Sequence, residues 1–216
     1  MKVLIGTTNP AKVKRFADFL SDCDVEFLTL KDLHVAAEPD EQGNTPEDNA
    51  RIKAAFYGQF CDYVICNDSG LFFEELPIDD PRQPGLNIRT PCGERLNDEE
   101  MIAYYSTLIR SLGGKVLAYY LDGIAVYRQG QIESFLDERG KLAAFYMVDR
   151  PSPNRTPGWP LDSLSVNRNT LTYFTEHGNN IYDPVEEQII VGEYRHRVIA
   201  FLKQALGIQR EVCNDI

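Results

Sequence analysis

The stretch Lys2-Val3-Leu4-Ile5-Gly6-Thr7-Thr8-Asn9-Pro10-Ala11-Lys12-Val13 decides the fold class. Lys2 to Gly6 is the short apolar run of a buried strand. Asn9 is a good helix N-cap, and Pro10 suits the first helical position, where its missing N–H costs nothing. Val13, Phe16, Ala17 and Leu20 then recur at helical spacing and make one apolar stripe. Val25 to Leu30 predicts a second strand.

The same alternation continues outward. Glu38 to Gly43 is an acidic loop. Thr45-Pro46-Glu47-Asp48 starts another helix: threonine caps, proline sits at N1, and Asp48 reaches back as a variant capping box. That helix runs through Ala50, Lys53, Ala54 and Phe56 to about Phe60. Tyr63 to Cys66 predicts a strand that ends in the turn Asn67-Asp68-Ser69-Gly70, and Leu76 to Glu94 a long Pro/Gly-rich loop. Further on, Asp98 to Leu112 predicts a helix, Lys115–Arg128 and Gln131–Phe135 a strand pair about Gln129-Gly130, and Leu142–Val148 another strand. Pro151 to Pro160, with four prolines, is irregular. Asp183–Gly192 and Tyr194–Leu206 are helical. Strand–helix alternation followed by a β-rich middle predicts an α/β protein with a mixed sheet.

Composition bounds the function. At 216 residues with 43% apolar and 25% charged residues, the chain is an ordinary globular protein, expected as one domain over 1–216 with two lobes. Its net charge of −11 argues against duplex nucleic acid as a partner, since phosphate neutralisation drives that affinity. A small phosphorylated ligand stays compatible, because carboxylates hold the divalent cation such a ligand carries. The five cysteines are odd in number and none forms Cys-x-x-Cys, which favours reduced thiols. No run approaches the ~20 apolar residues of a membrane span. A cytoplasmic protein is expected, with no membrane partner.

Five places carry chemistry. The turn at Thr7, Thr8, Asn9 and Lys12 is a plausible phosphate cradle: a helix N-terminus directs N–H groups and positive potential forward, and the lysine adds a cation. It is not a Walker A loop, and a capped helix with a solvated lysine is the plain alternative. Glu41, in a loop just before the Thr45 helix, is a candidate Mg²⁺ ligand or simply a solvated acid. Asp68, followed by Ser69-Gly70 at a strand end, is a candidate metal ligand or general base; otherwise it closes an Asx-turn. Trp159, the only tryptophan, lies in a rigid loop near Asp162, where a ring can stack on a nucleobase and an acid can accept from its edge; a core tryptophan is the alternative. Finally, Arg195-His196-Arg197 offers dense donors. If the last helix is continuous from Asp183, then Ile190, Tyr194, Val198, Phe201 and Ala205 share a face and His196 points away from it. If it breaks at Gly192, His196 and Arg197 start a new helix and can face a pocket. The sequence leaves both open.

Taken in order, these sites resemble the inosine triphosphate pyrophosphatase family. Thr7-Thr8-Asn9-Pro10-Ala11-Lys12 is similar to its Thr-Gly-Asn-x-x-Lys. The run from Glu41 through Thr45, Asn49 and Ala50 to Lys53-Ala54 resembles its Glu-x-Gly-x-Thr-x-x-Glu-Asn-Ala-x-x-Lys-Ala. Asp68-Ser69-Gly70-Leu71 matches Asp-Ser-Gly-Leu, and Pro84-Gly85 followed by Arg89 is similar to a Pro-Gly loop with a basic end. Gly158-Trp159-x-x-Asp162 resembles Gly-Phe-Gly-Tyr-Asp, and His196-Arg197 the closing Ser-His-Arg. The resemblance implies an elongated mixed sheet flanked by helices, two lobes with a central cleft, and a homodimer. It implies Mg²⁺-dependent cleavage of ITP, dITP and XTP to the monophosphate and pyrophosphate. Glu41 and Asp68 would hold the metal, with Asp68 also acting on water. Thr7, Asn9, Lys12 and Lys53 would grip phosphates, with Thr8 in the same turn and Ser69 nearby. Trp159 would stack on the base, and Asp162, His196 and Arg197 would read its edge. The departures are Asn67 for an acid, Thr8 for a glycine, Pro160 and Ser163 in the base loop, Arg195 for a serine, and a missing lysine, for which Arg155, Arg168 and Arg195 are candidates. They motivate two alternatives: the same reaction on a pyrimidine or modified nucleotide, or a nucleotide-binding module without turnover.

Overall fold

A computed structural model describes residues 1–176 and 185–208. The chain divides into two compact units. One comprises residues 1–68, 123–136 and the segment from Glu193 onward; the other comprises 69–122 and 137–192. Among the described residues, seven strands make one mixed sheet: β1 (Lys2–Ile5), β2 (Glu26–Thr29), β3 (Tyr63–Phe73), β4 (Lys115–Arg128), β5 (Gln131–Leu136), β6 (Phe145–Val148) and β7 (Ser165–Val166). Their order is β2-β1-β3-β4-β6-β7, with β5 also paired to β4.

In the first unit β1 pairs in parallel with both β2 and β3. The crossovers carry α1 (Pro10–Phe19) and α2 (Pro46–Tyr57). Both helices start as their sequences dictate. Asn9 accepts from the Ala11 N–H at 2.9 Å, and Pro10 occupies the first turn. Thr45 and Asp48 form a reciprocal capping box. Side chains alternate across the strands, so each face has its own core. Val3, Ile5, Ile65, Ile124 and Val126 pack with Phe16, Phe19 and Leu20 on one side. Leu4, Val64, Cys66 and Ala125 pack with Ala50, Ala54 and Tyr57 of α2 on the other.

The second unit is antiparallel. β4 pairs with β6, and β6 with β7. α3 (Asp98–Ser111), capped by Asn97 and Glu100, lays Met101, Ile102, Tyr105 and Ile109 on Leu71, Phe73, Val116 and Ala118.

Two sequence expectations are corrected and one left open is decided. Asn67-Asp68-Ser69-Gly70 is not a turn but the middle of β3, which continues to Phe73. Its polar residues hide the strand from a hydrophobicity pattern, because each finds a partner across the sheet or on α2. The strand expected from Leu142 starts only at Phe145; residues Glu138–Ala143 form a 3-10 helix with exposed Leu142. The last helix, α4 (Val185–Leu206), runs unbroken through Gly192. Its expected start at Asp183 lies outside the described residues, as does Cys213, one of the five cysteines.

Candidate active site

Asp68 stands two and four residues beyond Cys66 and Val64, so the pleat turns it to the α2 face of the sheet. On α2, Asn49 and Lys53 are one helical turn apart and share a face. The two side chains grip the two oxygens of Asp68 separately: Asn49 Nδ2 donates to Oδ2 at 3.0 Å, and Lys53 Nζ to Oδ1 at 3.1 Å. The Lys53 ammonium also meets Glu41 Oε2 at 2.8 Å. Asn49 closes the arrangement, because its Oδ1 accepts from the Gly43 N–H at 2.8 Å and ties the Glu41 loop to the same helix. The lysine side chain is 16% exposed and that of Asp68 13%. Burial alone would pull the Lys53 pKa down; the charges of Asp68 and Glu41 together outweigh it and leave it raised. The sequence points to Glu41, Lys53 and Asp68 but assigns Asn49 no role. The signal for it is its spacing of four from Lys53.

The phosphate-cradle turn belongs to this unit too. Gly6 donates to the Ile65 carbonyl, and a Cβ there would lie 2.6 Å from Cys66 Sγ and 2.7 Å from the Tyr57 ring. The turn is therefore packed tightly beside β3, two residues before Asp68. Thr7 Oγ1 accepts from the Asn9 N–H at 3.2 Å, so the threonine orders the turn that Asn9 caps. Thr8 is exposed, and Lys12 is half-buried on the first turn of α1.

Two acids converge on one cation from different elements, and their donors are all carboxylate oxygens. This set fits Mg²⁺, which binds through one or two carboxylates and takes its remaining ligands from substrate phosphates and water. Among the described residues no group of three His, Cys, Asp or Glu side chains is placed to hold a metal, so a closed protein-only cage is not what they form.

Asn67, standing where an acid was expected, is buried and donates to the carbonyls of Asp68 and Gly123, each at 3.0 Å. It acts as a backbone clasp between β3 and β4. The continuity of α4 selects the first of the two sequence readings. Val198, Leu202, Ala205 and Leu206 fill the core, whereas His196 is exposed. Arg197 pairs with Glu193 one turn earlier, at 3.6 Å. Arg195 donates to the Asp18 carbonyl and lies 5.0 Å over the Phe19 ring, docking α4 on α1.

In the second unit, Trp159 and Asp162 sit at the 3-10 turn Pro160–Ser163. The Asp162 N–H donates to the Trp159 carbonyl. Burial pushes the Asp162 carboxyl from 3.8 to about 6, against a lowering hydrogen bond from Thr156. Ser69 Oγ donates to Asp122 of β4 at 2.5 Å, a cross-strand pairing invisible without the register. Of the arginines considered as substitutes for the missing lysine, Arg155 is held by Glu99 at 2.8 and 3.2 Å and by the Ser152 carbonyl. Arg168 is exposed.

The family model described as the Ham1 family matches residues 3–139. The dITP/XTP pyrophosphatase of Thermoanaerobacter pseudethanolicus is 35% identical over 156 residues, covering 70% of this chain and 73% of that protein. The dITP/XTP pyrophosphatase of Lactobacillus acidophilus is 32% identical over 173 residues, covering 76% and 79%. Among solved structures, a HAM1 protein from Coxiella burnetii superposes with a TM-score of 0.68 at 19% identity, covering 95% of this chain and all of that one. The Staphylococcus aureus Ham1 protein does so at 0.64 and 18%, covering 94% and 99%. The chain belongs to the Ham1 family, and its α/β fold with a mixed sheet is the fold of those structures.

Proposed function

We propose that this protein is a nucleoside triphosphate pyrophosphatase. It cleaves non-canonical purine nucleotides such as ITP, dITP and XTP between the α- and β-phosphates, giving the monophosphate and pyrophosphate. The observation that carries this reading is the convergence of Glu41, Lys53 and Asp68, braced by Asn49 and beside the helix-capping turn at Thr7–Lys12. Relatives named dITP/XTP pyrophosphatases support it.

Glu41 and Asp68 would hold Mg²⁺, which when bound neutralises phosphate charge and polarises the reacting phosphorus. Asp68 orients and accepts a proton from the attacking water. Lys53 and Lys12 meet the anionic phosphates, and the α1 N-terminus, with Thr7, Thr8 and Asn9, gives them N–H and side-chain donors. Trp159 stacks on the base. Asp162 accepts from its N–H edge, while Arg197, half-buried on α4, offers a donor to a 6-keto group; exposed His196 takes no part in this reading. An adenine 6-amino group would set donor against donor there, which disfavours it. We assign the protein to the cytoplasm, acting as a homodimer of one two-lobed domain.

Pyrophosphate release across ITP, dITP, XTP and the standard nucleotides, with Mg²⁺ and with EDTA, tests this. The expected result is Mg²⁺-dependent release, strongest from the deaminated purines and lowered about a hundredfold or more by Asp68→Asn. Equal release from all nucleotides would remove the base assignment. A second reading keeps the reaction and changes the base. It is favoured by one observation: Trp159, Asp162, His196 and Arg197 all lie outside residues 3–139, the segment the family model matches. Preferential release from a pyrimidine or modified nucleotide would establish it. Binding without turnover would instead support the third alternative, a nucleotide-binding module.

A further inference from the structure

We propose that Lys53 is an exchangeable counter-ion of the Glu41–Asp68 pair, which makes the protein take up metal and polyphosphate together rather than metal first. The inference rests on the reading of Glu41 and Asp68 as metal-holding acids.

Both oxygens of Asp68 are engaged within the protein, Oδ2 by Asn49 and Oδ1 by Lys53. The same ammonium holds Glu41 Oε2 at 2.8 Å. A divalent cation that takes both acids competes with Lys53 for the oxygens it already holds. With the lysine in place, the two acids present one net negative charge to an incoming cation; without it they present two. The contest is between an ammonium that is largely shielded from water and a cation that dehydrates reluctantly. Free metal therefore binds weakly. A metal–polyphosphate complex changes the balance, because the phosphates give Lys53 a new anionic partner. Its flexible four-carbon stem lets the ammonium move from carboxylate to phosphate while its Cα stays on α2. The acids are then released to the metal at the moment the lysine is re-paired. Linkage makes this reciprocal: metal strengthens nucleotide binding by the same factor that nucleotide strengthens metal binding.

The test measures binding, not turnover. Mn²⁺, a paramagnetic substitute for Mg²⁺, is titrated into nucleotide-free full-length protein and followed by electron paramagnetic resonance. The titration is repeated with an α,β-methylene nucleotide, which cannot be cleaved at that bond. Lys53→Met is expected to bind free Mn²⁺ about tenfold or more tightly than the wild type. The nucleotide is expected to tighten Mn²⁺ binding by about tenfold or more in the wild type and by much less in Lys53→Met. Lys53→Arg keeps the charge and should hold free Mn²⁺ affinity near the wild-type value, which separates charge from damage to the fold. Unchanged or weaker Mn²⁺ binding in a folded Lys53→Met, or nucleotide coupling as large as in the wild type, would overturn the proposal. These results stand apart from the substrate assignment: tighter Mn²⁺ binding in Lys53→Met, in a protein that releases no pyrophosphate, would keep the counter-ion and remove the pyrophosphatase reading.

Discussion

At the residue scale, Asn49 braces the acid pair: its Oδ1 accepts from the Gly43 N–H and its Nδ2 donates to Asp68. In the sequence, Glu41 and Asp68 stand out as acids beside apparent loop and strand-end signals, although Asp68 lies mid-strand, and Lys53 stands out only through the family resemblance. Asn49 reads as one more polar helix residue until its two hydrogen bonds are drawn, to Gly43 and to Asp68. Its removal unpins one oxygen of Asp68 and loosens the Glu41 loop. Asn49→Ala is expected to lower kcat about tenfold with a smaller change in KM, as the loss of one hydrogen bond to a charged group implies. A steady-state comparison checks this, and an unchanged kcat would deny Asn49 the positioning role. Asp162 yields a pH prediction. Its carboxyl rises from 3.8 to about 6 on folding, so the folded state favours the protonated form. The stabilisation from this group is fully present below about pH 3.8 and is lost as pH rises through about 6. The difference amounts to about 3 kcal/mol. Substrate reading runs the other way, because the ionised acid accepts from a base N–H more strongly than the protonated one. The kcat/KM profile should therefore carry an acid limb near pH 6 that Asp162→Asn removes; the same limb in the variant would assign it elsewhere.

At the scale of elements, the sequence is readable where local rules act and silent where register acts. The caps of α1 and α2 are local, and both form as their residues require. β3 looks shorter in the sequence than it is, because its polar middle is satisfied by partners distant in the chain: Gly123 for Asn67, Asp122 for Ser69, and α2 for Asp68. Two glycines test these elements with opposite signs. A Cβ on Gly123 of β4 would stand 2.2 Å from the backbone carbon of Pro46 and 2.3 Å from the Glu47 nitrogen. Backbone cannot step aside as a side-chain tip can. Gly123→Ala should push the first turn of α2 off the sheet and cost roughly 1–3 kcal/mol or more. Gly192 lies inside continuous α4, and a methyl group added there would meet nothing within 4 Å. Gly192→Ala should add about 1 kcal/mol of helix propensity. Thermal melts of the two variants should move in opposite directions. A destabilised Gly192→Ala would mean that the helix is not continuous there, and would return His196 to the alternative of a fresh helix start.

At the scale of the whole molecule, the two units are interleaved along the chain, which crosses from one to the other after residues 68, 122, 136 and 192. The composition foretells a globular protein and the strand–helix alternation an α/β one, but neither foretells this interleaving, which depends on where β3 and β4 run on past their first partners. The segment that the family model matches, 3–139, therefore does not coincide with either unit. It omits Val198, Leu202, Ala205 and Leu206 from the core of the first, and β6 and β7 from the second. The valine and the two leucines, each nearly fully buried, contribute roughly 6 kcal/mol at about 2 kcal/mol apiece. That is comparable to the entire stability of a typical domain, about 5–15 kcal/mol. A fragment of residues 1–139 retains Glu41, Lys53 and Asp68 but is expected to lack a cooperative unfolding transition and to bind Mn²⁺ no more tightly with nucleotide than without. Circular dichroism melting and the same Mn²⁺ titration check both. A cooperative melt would mean that the antiparallel strands and α4 are additions to an independent core; its absence would mean that the chemistry-bearing third of the chain owes its geometry to the segments the fragment lacks, α4 among them.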